Sequence, residues 1–178
     1  IKDVSNIGIA LQKNEALTTL NLSINQIGDV SRIGNALKTN KTLTTLNLFN
    51  NGIVNVSSIG NALEKNKTLT TLNLSGNEIQ DVSRIGEALE TNETLTTLLL
   101  ANNKINCCTN RGKDDNGDDI IVPNSTSIQK ALKSNNTLTE LDLNLNGPLV
   151  DGNLDGITSK EFKISIEKAI NRNKEIVK

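Results

Sequence analysis

Apolar side chains recur along this chain at a fixed interval, and the pattern alternates between two kinds of local structure. The segment LTTLNL begins at Leu17 and returns at Leu43 and Leu69, and LTTLLL begins at Leu95, so each copy follows the last by 26 residues. Within a copy, leucines alternate with polar residues, which predicts a short strand with one face in solvent. Apolar residues at helical spacing follow each copy and predict a short helix. Such self-similarity is typical of a solenoid of stacked strand–helix units.

The regular interval breaks twice in the second half of the chain. A fifth copy, LTELDL, begins at Leu138 and a sixth begins at Ile176, after intervals of 43 and 38 residues. The two insertions fall just after a strand, at about residues 107–123 and 147–158. Because neighbouring repeats stack, we expect the insertions to lie side by side on one domain that spans residues 1–178. Ile1 also falls within a repeat, so we expect the repeats to continue in a longer protein.

The repeated unit reads LxxLxLxxNxI followed by a helical stretch, and LTTLNLSINQI from Leu17 to Ile27 is the clearest copy. This pattern resembles the leucine-rich repeats of the ribonuclease-inhibitor type over nearly the whole chain. The resemblance implies an α/β solenoid shaped as a horseshoe arc, with a parallel sheet on its concave face and short helices on its convex face. It also implies that the motif asparagine faces inward and bonds to the turn after the strand. This strand-side asparagine ladder consists of Asn25, Asn51, Asn77, Asn103 and Asn146.

The helical stretches lead to three further predictions. Acidic or amide side chains stand where an N-cap belongs; these are Asp3, Asp29, Asn55 and Asp81. Glycines recur beside a buried isoleucine, where we expect neighbouring helices to approach closely; these are Gly8, Gly34, Gly60 and Gly86. A helix-side asparagine ladder follows the helices and predicts left-handed C′ caps, a conformation that asparagine tolerates. Its members are Asn14, Asn40, Asn66, Asn92, Asn135 and Asn173.

The composition narrows the range of functions. A formal net charge of −1 disfavours nucleic acids and acidic membranes as partners, because both select for an excess of Lys and Arg. The chain contains no His, which excludes catalysis by histidine, and it has no glycine-rich phosphate motif. We therefore expect a protein that is not an enzyme and needs no cofactor. The resemblance of this repeat type to Ran GTPase-activating proteins is the reason to consider a GTPase-regulating role, which the same absences disfavour.

The abundance of asparagine bears on localisation. Many asparagines lie in N-x-S/T sequons, and glycans on all of them would crowd the surface, so we do not expect a glycosylated secretory protein. The composition is similar to that of repeat modules in effectors that intracellular bacteria deliver into host cells. We therefore expect a protein of the cytoplasm, or one delivered into a host cell where it acts on a host protein.

The exposed face of the sheet is the expected binding surface, since solenoids present an extended concave face to partners. Phe49 and Leu99 interrupt a background of Thr, Asn and Ser, and Glu140 with Asp142 adds charge at one end. Buried apolar anchors dominate the energy of most interfaces. We therefore predict a monomeric protein-binding module whose contacts include Asn47, Phe49, Asn73, Leu99, Ala101, Glu140 and Asp142.

Both insertions are acidic, which supports an alternative function. The second matches the opening D-x-N-x-D-G of a calcium-binding EF-hand loop, and the first repeats its three ligand positions. The candidate calcium ligands are Asp114, Asn116 and Asp118 in the first insertion and Asp151, Asn153 and Asp155 in the second. Glu161 comes one position too early for the bidentate ligand, so a pair of solvated acidic turns is the other interpretation. The alternative is a calcium-regulated binding module.

Overall fold

The computed structural model describes residues 1–105, 109–113, 119–123, 126–144, 146 and 159–176. Within these residues, strands and helices alternate along the chain. The helices are α1 (Ser5–Lys13), α2 (Ser31–Leu37), α3 (Ser57–Leu63), α4 (Ser83–Leu89), α5 (Thr126–Ala131) and α6 (Ser159–Ile176). The strands are β1 (Thr19–Asn21), β2 (Thr45–Asn47), β3 (Thr71–Asn73), β4 (Thr97–Leu99), β5 (Thr109–Lys113), β6 (Asp119–Pro123) and β7 (Glu140–Asp142).

Residues that are 26 positions apart in the sequence pair on neighbouring strands of the sheet. Among the described residues, five strands form an open parallel sheet in the order β1-β2-β3-β4-β7, with Leu20 opposite Leu46 and Leu46 opposite Leu72. Strand β4 pairs with β7 across the first insertion, which places Leu99 opposite Asp142. Helices α1 to α5 pack in the same sequence, each against the next. The predicted α/β solenoid, with its sheet on the concave face and its short helices on the convex face, is confirmed.

The core lies between the sheet and the helices. The inward leucines of the middle strands, Leu46 and Leu72, are fully buried, as are the helical residues Ile33 and Leu37. Burying one such side chain contributes about 1.5–3 kcal/mol to folding. The predicted inward faces of strand and helix are therefore correct, and the opposite face of the sheet is left in solvent.

The strand-side asparagine ladder is confirmed. In the third repeat, the Asn77 carboxamide nitrogen donates to the carbonyl oxygens of Leu48 (3.1 Å) and Leu74 (2.8 Å). Its Oδ1 accepts from the amides of Asn51 (2.9 Å) and Ile53 (3.1 Å). Each such side chain thus ties the turn of its own repeat to that of the preceding repeat, which fixes the spacing of the strands.

The prediction of left-handed caps for the helix-side asparagine ladder is wrong. Asn14 has an extended backbone, and the cap residues of the next two helices, Lys38 and Glu64, are right-handed. The ladder acts through buried side chains instead. The Asn40 carboxamide nitrogen donates to the Leu11 carbonyl (2.8 Å), and its Oδ1 accepts from the Leu43 amide (2.8 Å). These residues join the helix end of one repeat to the strand start of the next.

Two helix boundaries also differ from prediction. The N-cap of α2 is Val30, whose side chain cannot accept a hydrogen bond, so the predicted N-cap Asp29 lies one residue too early. Asp29 still accepts from the Ser31 amide at 2.8 Å. Helix α6 continues through Asn173 to Ile176, so the strand predicted to begin at Ile176 is wrong. From within the helix, the Asn173 carboxamide nitrogen still donates to the carbonyl oxygen of Asn135 in the preceding repeat (3.1 Å).

The prediction of close helix packing at the glycines is confirmed. A Cβ atom added to Gly34 would lie 2.6 Å from the carbonyl carbon of Ser58 in the next helix, and one on Gly86 would lie 2.5 Å from the Ser127 side chain. The helices can stack at the interval of the strands only because these positions lack a side chain. Among the described residues, no helix is long and apolar enough to cross a membrane.

Candidate partner-binding surface

The solvent face of the parallel sheet forms one continuous surface, which we call the concave surface. It consists of three side chains from each repeat, at the first and third residues of the strand and two residues further on. These are Thr19, Asn21, Ser23, Thr45, Asn47, Phe49, Thr71, Asn73, Ser75, Thr97, Leu99, Ala101, Glu140, Asp142 and Asn144. The strand register therefore brings all seven predicted partner-binding residues onto one face. Whether they contact a partner stays a prediction at this point.

The asparagines of the concave surface also hold the turns that follow the strands. Asn47 Oδ1 accepts from the Phe49 amide at 3.0 Å, and Asn73 Oδ1 accepts from the Ser75 amide at 2.9 Å. Asp142 Oδ1 does the same for Asn144 at 3.0 Å. This role, which the sequence interpretation missed, fixes the oxygen of each side chain against its own turn and sets the direction in which the next side chain leaves the strand.

Leu99 departs from this arrangement. It occupies the register of Asn73 and Asp142, which are its Cα partners on the neighbouring strands. Leucine has no oxygen with which to accept from the amide two residues on, so repeat four gives up the hydrogen bond that the equivalent side chains make. Leu99 is half-buried, as is Ala101. An apolar side chain has replaced a turn-stabilising one at a solvent-facing position.

Phe49 reaches from the second repeat across the third. Its side chain is 37% exposed, and its Cε2 lies 2.9 Å from where a Cβ of Gly76 would be. Gly76 has a backbone φ of +69°, a conformation that glycine adopts without steric cost. The ring is thus seated on a glycine in the turn after β3, the strand next to the one that carries Leu99. Gly76 was missed as part of the surface.

The turn after β1 carries a strained apolar residue that was also missed. Ile24 is 71% exposed, and its backbone φ is +55°. The equivalent residues of other repeats are Asn50, Gly76 and Asn102, which share this left-handed conformation. A β-branched residue is disfavoured there. Alignment of the repeats shows the difference in the sequence, since the first repeat has Ile where repeats two to four have Asn or Gly.

The acidic end of the concave surface is held by neutral donors. Glu140 Oε2 accepts from the Thr97 hydroxyl at 3.3 Å, and Asp142 Oδ1 also accepts from the Asn144 carboxamide nitrogen at 2.8 Å. In the described part of the chain, the ion pairs use other carboxylates; they join Arg84 to Glu64 and Glu87, Lys104 to Glu78, and Lys130 to Glu90. No Lys or Arg in the described part of the chain therefore forms an ion pair with Glu140 or Asp142.

The candidate calcium ligands lie outside the described residues. This holds for Asp114, Asn116 and Asp118 and for Asp151, Asn153 and Asp155. Of the first insertion, the structure describes the antiparallel strands β5 and β6. Across the described residues, no three His, Cys, Asp or Glu side chains cluster in a way that could hold a metal ion. The calcium alternative stays a prediction.

Comparisons with known proteins agree with the geometry. A family model described as Leucine Rich repeat matches residues 13–33, 39–56, 65–85 and 134–150. A structure of leiomodin-1 actin-binding site 2 is similar, with 24% identity, a TM-score of 0.71, and coverage of 97% of this chain and 90% of that one. The tropomodulin C-terminal domain of Caenorhabditis elegans has 16% identity and a TM-score of 0.68, and the match covers 98% of this chain and 95% of that one.

Comparison with curated protein sequences finds no match, so the repeat model and the shared fold are the findings that bear on the family. All four matched segments carry LxxLxLxxN in the register of the sheet, and the first three continue to the motif isoleucine. The similar structures cover nearly the whole chain. The chain therefore contains leucine-rich repeats, stacked as an α/β solenoid.

Proposed function

We propose that this chain is a protein-binding module, and not an enzyme, and that it holds a protein partner on the concave surface. The observation that carries the proposal is the placement of Phe49 and Leu99 on an otherwise small and polar sheet face. Repeats one and three carry Ser at the register of Phe49, and repeats one to three carry Asn at the register of Leu99. Repeat structure supplies no reason for either replacement, whereas an interface needs apolar anchors.

The energetics support a binding role for Phe49. A phenylalanine offers roughly 200 Å² of surface, so an exposed fraction of 37% leaves roughly 75 Å² for a partner to cover. At about 25 cal/mol per Å² this contributes about 2 kcal/mol. The ring already rests on Gly76, so little rotamer freedom remains to be lost when a partner covers it. Phe49 thus has the size and preorganisation expected of an anchor.

The frame beneath the anchors supports the same role. The middle leucines are fully buried, and both asparagine ladders bond to the main chain of adjacent repeats. A surface held in this way presents its side chains in fixed positions, which lowers the ordering cost of association. One of the similar structures is actin-binding site 2 of leiomodin-1, which supports a protein as the class of partner.

Several finer points belong to the same proposal. The module acts as a monomer, without a resident cofactor, and it does not bind nucleic acid. The near-zero net charge supports the last point, since nucleic-acid binding depends on neutralising phosphates with Lys and Arg. The repeat composition supports a place in the cytoplasm, or delivery into a host cell where the module binds a host protein.

A comparative capture experiment tests the proposal. Wild-type protein and the variants Phe49→Ser and Leu99→Asn are immobilised, and bound proteins are compared by quantitative mass spectrometry. Both substitutions install the residue that other repeats carry, so the fold is retained. Val54→Ser is the matched control, because Val54 is an exposed apolar residue outside the concave surface.

We expect at least one protein to be held by wild type and by Val54→Ser and to be depleted about tenfold or more by each concave variant, the factor that corresponds to 1.4 kcal/mol. If wild type and all three variants capture the same proteins equally well, the binding surface lies elsewhere and the proposal is contradicted.

A further inference from the structure

We infer that the concave surface selects a partner segment in which a basic side chain follows an apolar one at a short, fixed distance. The inference rests on the proposed function and adds the chemistry of the partner. It is carried by the meeting of two kinds of surface, since the apolar side chains of repeats two to four end at Leu99, which lies on the strand next to the carboxylates of repeat five.

The charge of the concave surface is confined to one end. The first four repeats contribute no charged residue to it, whereas the fifth contributes Glu140 and Asp142. Both replace the uncharged residues of the other repeats, Thr at the first position and Asn or Leu at the second. Asp142 lies directly opposite Leu99, and Glu140 opposite Thr97. A side chain that passes over Leu99 therefore enters the field of two carboxylates.

Among the described residues, Glu140 and Asp142 have hydrogen-bond donors but form no ion pair. Thr97 holds Glu140, and Asn144 holds Asp142, each through a single oxygen and each with an uncharged donor. An ionised carboxylate has about four acceptor sites, so both groups can accept further bonds from an ammonium or guanidinium. Such charge-assisted bonds are stronger than neutral ones. Each group is already held by a hydrogen bond to its neighbour, which reduces the entropy that a cationic partner has to offset.

The strand spacing sets the distance between the two recognised side chains. Neighbouring strands lie about 4.8 Å apart, and an extended chain advances about 3.3 Å per residue. The ring of Phe49 covers the turn after β3, and β7 is two strands further along the sheet. The separation across the sheet, perpendicular to the strands, is roughly 10 Å, which corresponds to about three residues of an extended segment that crosses the strands. The partner pattern is an apolar residue, two spacer residues and then Lys or Arg.

The same arrangement disfavours other occupants. A phosphate-bearing surface, whether nucleic acid or acidic lipid, would bring negative charge against Glu140 and Asp142. An apolar segment without a cation would cover Phe49 and Leu99 and would leave both carboxylates uncompensated beside it, which costs desolvation. A basic protein segment satisfies the apolar and the acidic part together.

Blocked eight-residue peptides and NMR spectroscopy test the inference on the whole chain. The probe is GSFGSRGS, and the matched peptides are GSFGSEGS, in which the charge is reversed, and GSSGSRGS, in which the apolar side chain is removed. Each is titrated into ¹⁵N-labelled wild type and into the double variant Glu140→Thr/Asp142→Asn. The variant carries the residues of the other repeats, and the asparagine retains the oxygen that accepts from the Asn144 amide.

We expect GSFGSRGS to shift the amide signals of β3, β4 and β7 with a dissociation constant in the millimolar range. The double variant should bind it about fivefold more weakly, since each exposed ion pair contributes modestly. Each matched peptide should bind wild type more weakly than the probe does.

Equal binding of GSFGSRGS and GSFGSEGS on the concave surface would overturn the inference and leave the proposed apolar contact standing. Shifts caused equally by GSSGSRGS would overturn the apolar half of the pattern. If no peptide shifts the concave surface, the inference is refuted, while the capture experiment with Phe49→Ser and Leu99→Asn decides the proposed function independently.

Discussion

The helix-side asparagine ladder is expected to carry a large share of the stability that joins neighbouring repeats. Asn66 is 3% exposed and makes four hydrogen bonds to the main chain. Its carboxamide nitrogen donates to the carbonyls of Leu37 (2.8 Å) and Asn40 (3.3 Å), and its oxygen accepts from the amides of Thr68 (3.0 Å) and Leu69 (2.7 Å). At about 1 kcal/mol for each bond, Asn66→Ala should lower the free energy of unfolding by roughly 4 kcal/mol.

The first repeat offers a matched control for this substitution. Asn14 occupies the same register, but it is exposed, and its oxygen accepts from the amides of Ala16 (3.0 Å) and Leu17 (2.6 Å) of its own repeat. Because water can replace those bonds, Asn14→Ala should cost about 1 kcal/mol or less. Urea unfolding followed by far-UV circular dichroism measures both values. If Asn66→Ala costs no more than Asn14→Ala, the reasoning about buried ladders is refuted.

A second variant separates the two halves of the carboxamide. Asn66→Asp keeps the oxygen that accepts from Thr68 and Leu69 and removes the nitrogen that donates to the preceding repeat. It also places an ionisable carboxyl group in a buried position, so the substitution lowers the free energy of unfolding further at neutral pH. We expect Asn66→Asp to recover stability as the pH falls and the carboxyl takes up a proton, which Asn66→Ala should not do.

Three further changes have defined outcomes. Ile24→Asn, which gives the first turn a residue type that tolerates its left-handed backbone, should raise the free energy of unfolding by about 1 kcal/mol in urea titrations; a loss would show that the exposed side chain stabilises the turn. Gly34→Ala should lower it by about 1–3 kcal/mol, because the new methyl group meets the backbone of Ser58; an unchanged melting temperature would contradict the close packing. If the insertions hold calcium, thermal melts in millimolar calcium should exceed those in EDTA or magnesium, and Asp151→Ala with Asp155→Ala should remove the difference; coincident melts would leave the loops as solvated turns.

Much of the fold could be predicted from the sequence because the repeat interval determines which residues of neighbouring strands pair. An interval of 26 residues from Leu17 to Leu43 becomes the strand pairing of β1 with β2, and alternation of Leu46 with its polar neighbours defines the buried face. The same periodicity predicts both asparagine ladders. Periodicity reports which residues are equivalent, and stacking makes equivalent residues neighbours.

The errors arose where a residue's role depends on the adjacent repeat. Asn40 fits a helix cap by its local position, but its buried side chain bonds to Leu11 of the preceding repeat, which local propensity does not reveal. The predicted N-cap Asp29 lies one residue before the N-cap that the structure has, since Val30 is the last residue with a non-helical backbone. The seat of Phe49 on Gly76 joins two repeats across the sheet. Such contacts require the stacking geometry as well as the pattern.

The dissociation constant of a purified partner for the concave-surface variants tests the central claim most directly. Isothermal titration would compare wild type, Phe49→Ser, Leu99→Asn, the double variant and the control Val54→Ser. We predict that each single concave change weakens binding about tenfold or more and that the control stays within about twofold, since apolar anchors dominate interface energy. Unchanged affinity in the double variant would contradict the claim that this protein binds its partner through the exposed face of its sheet.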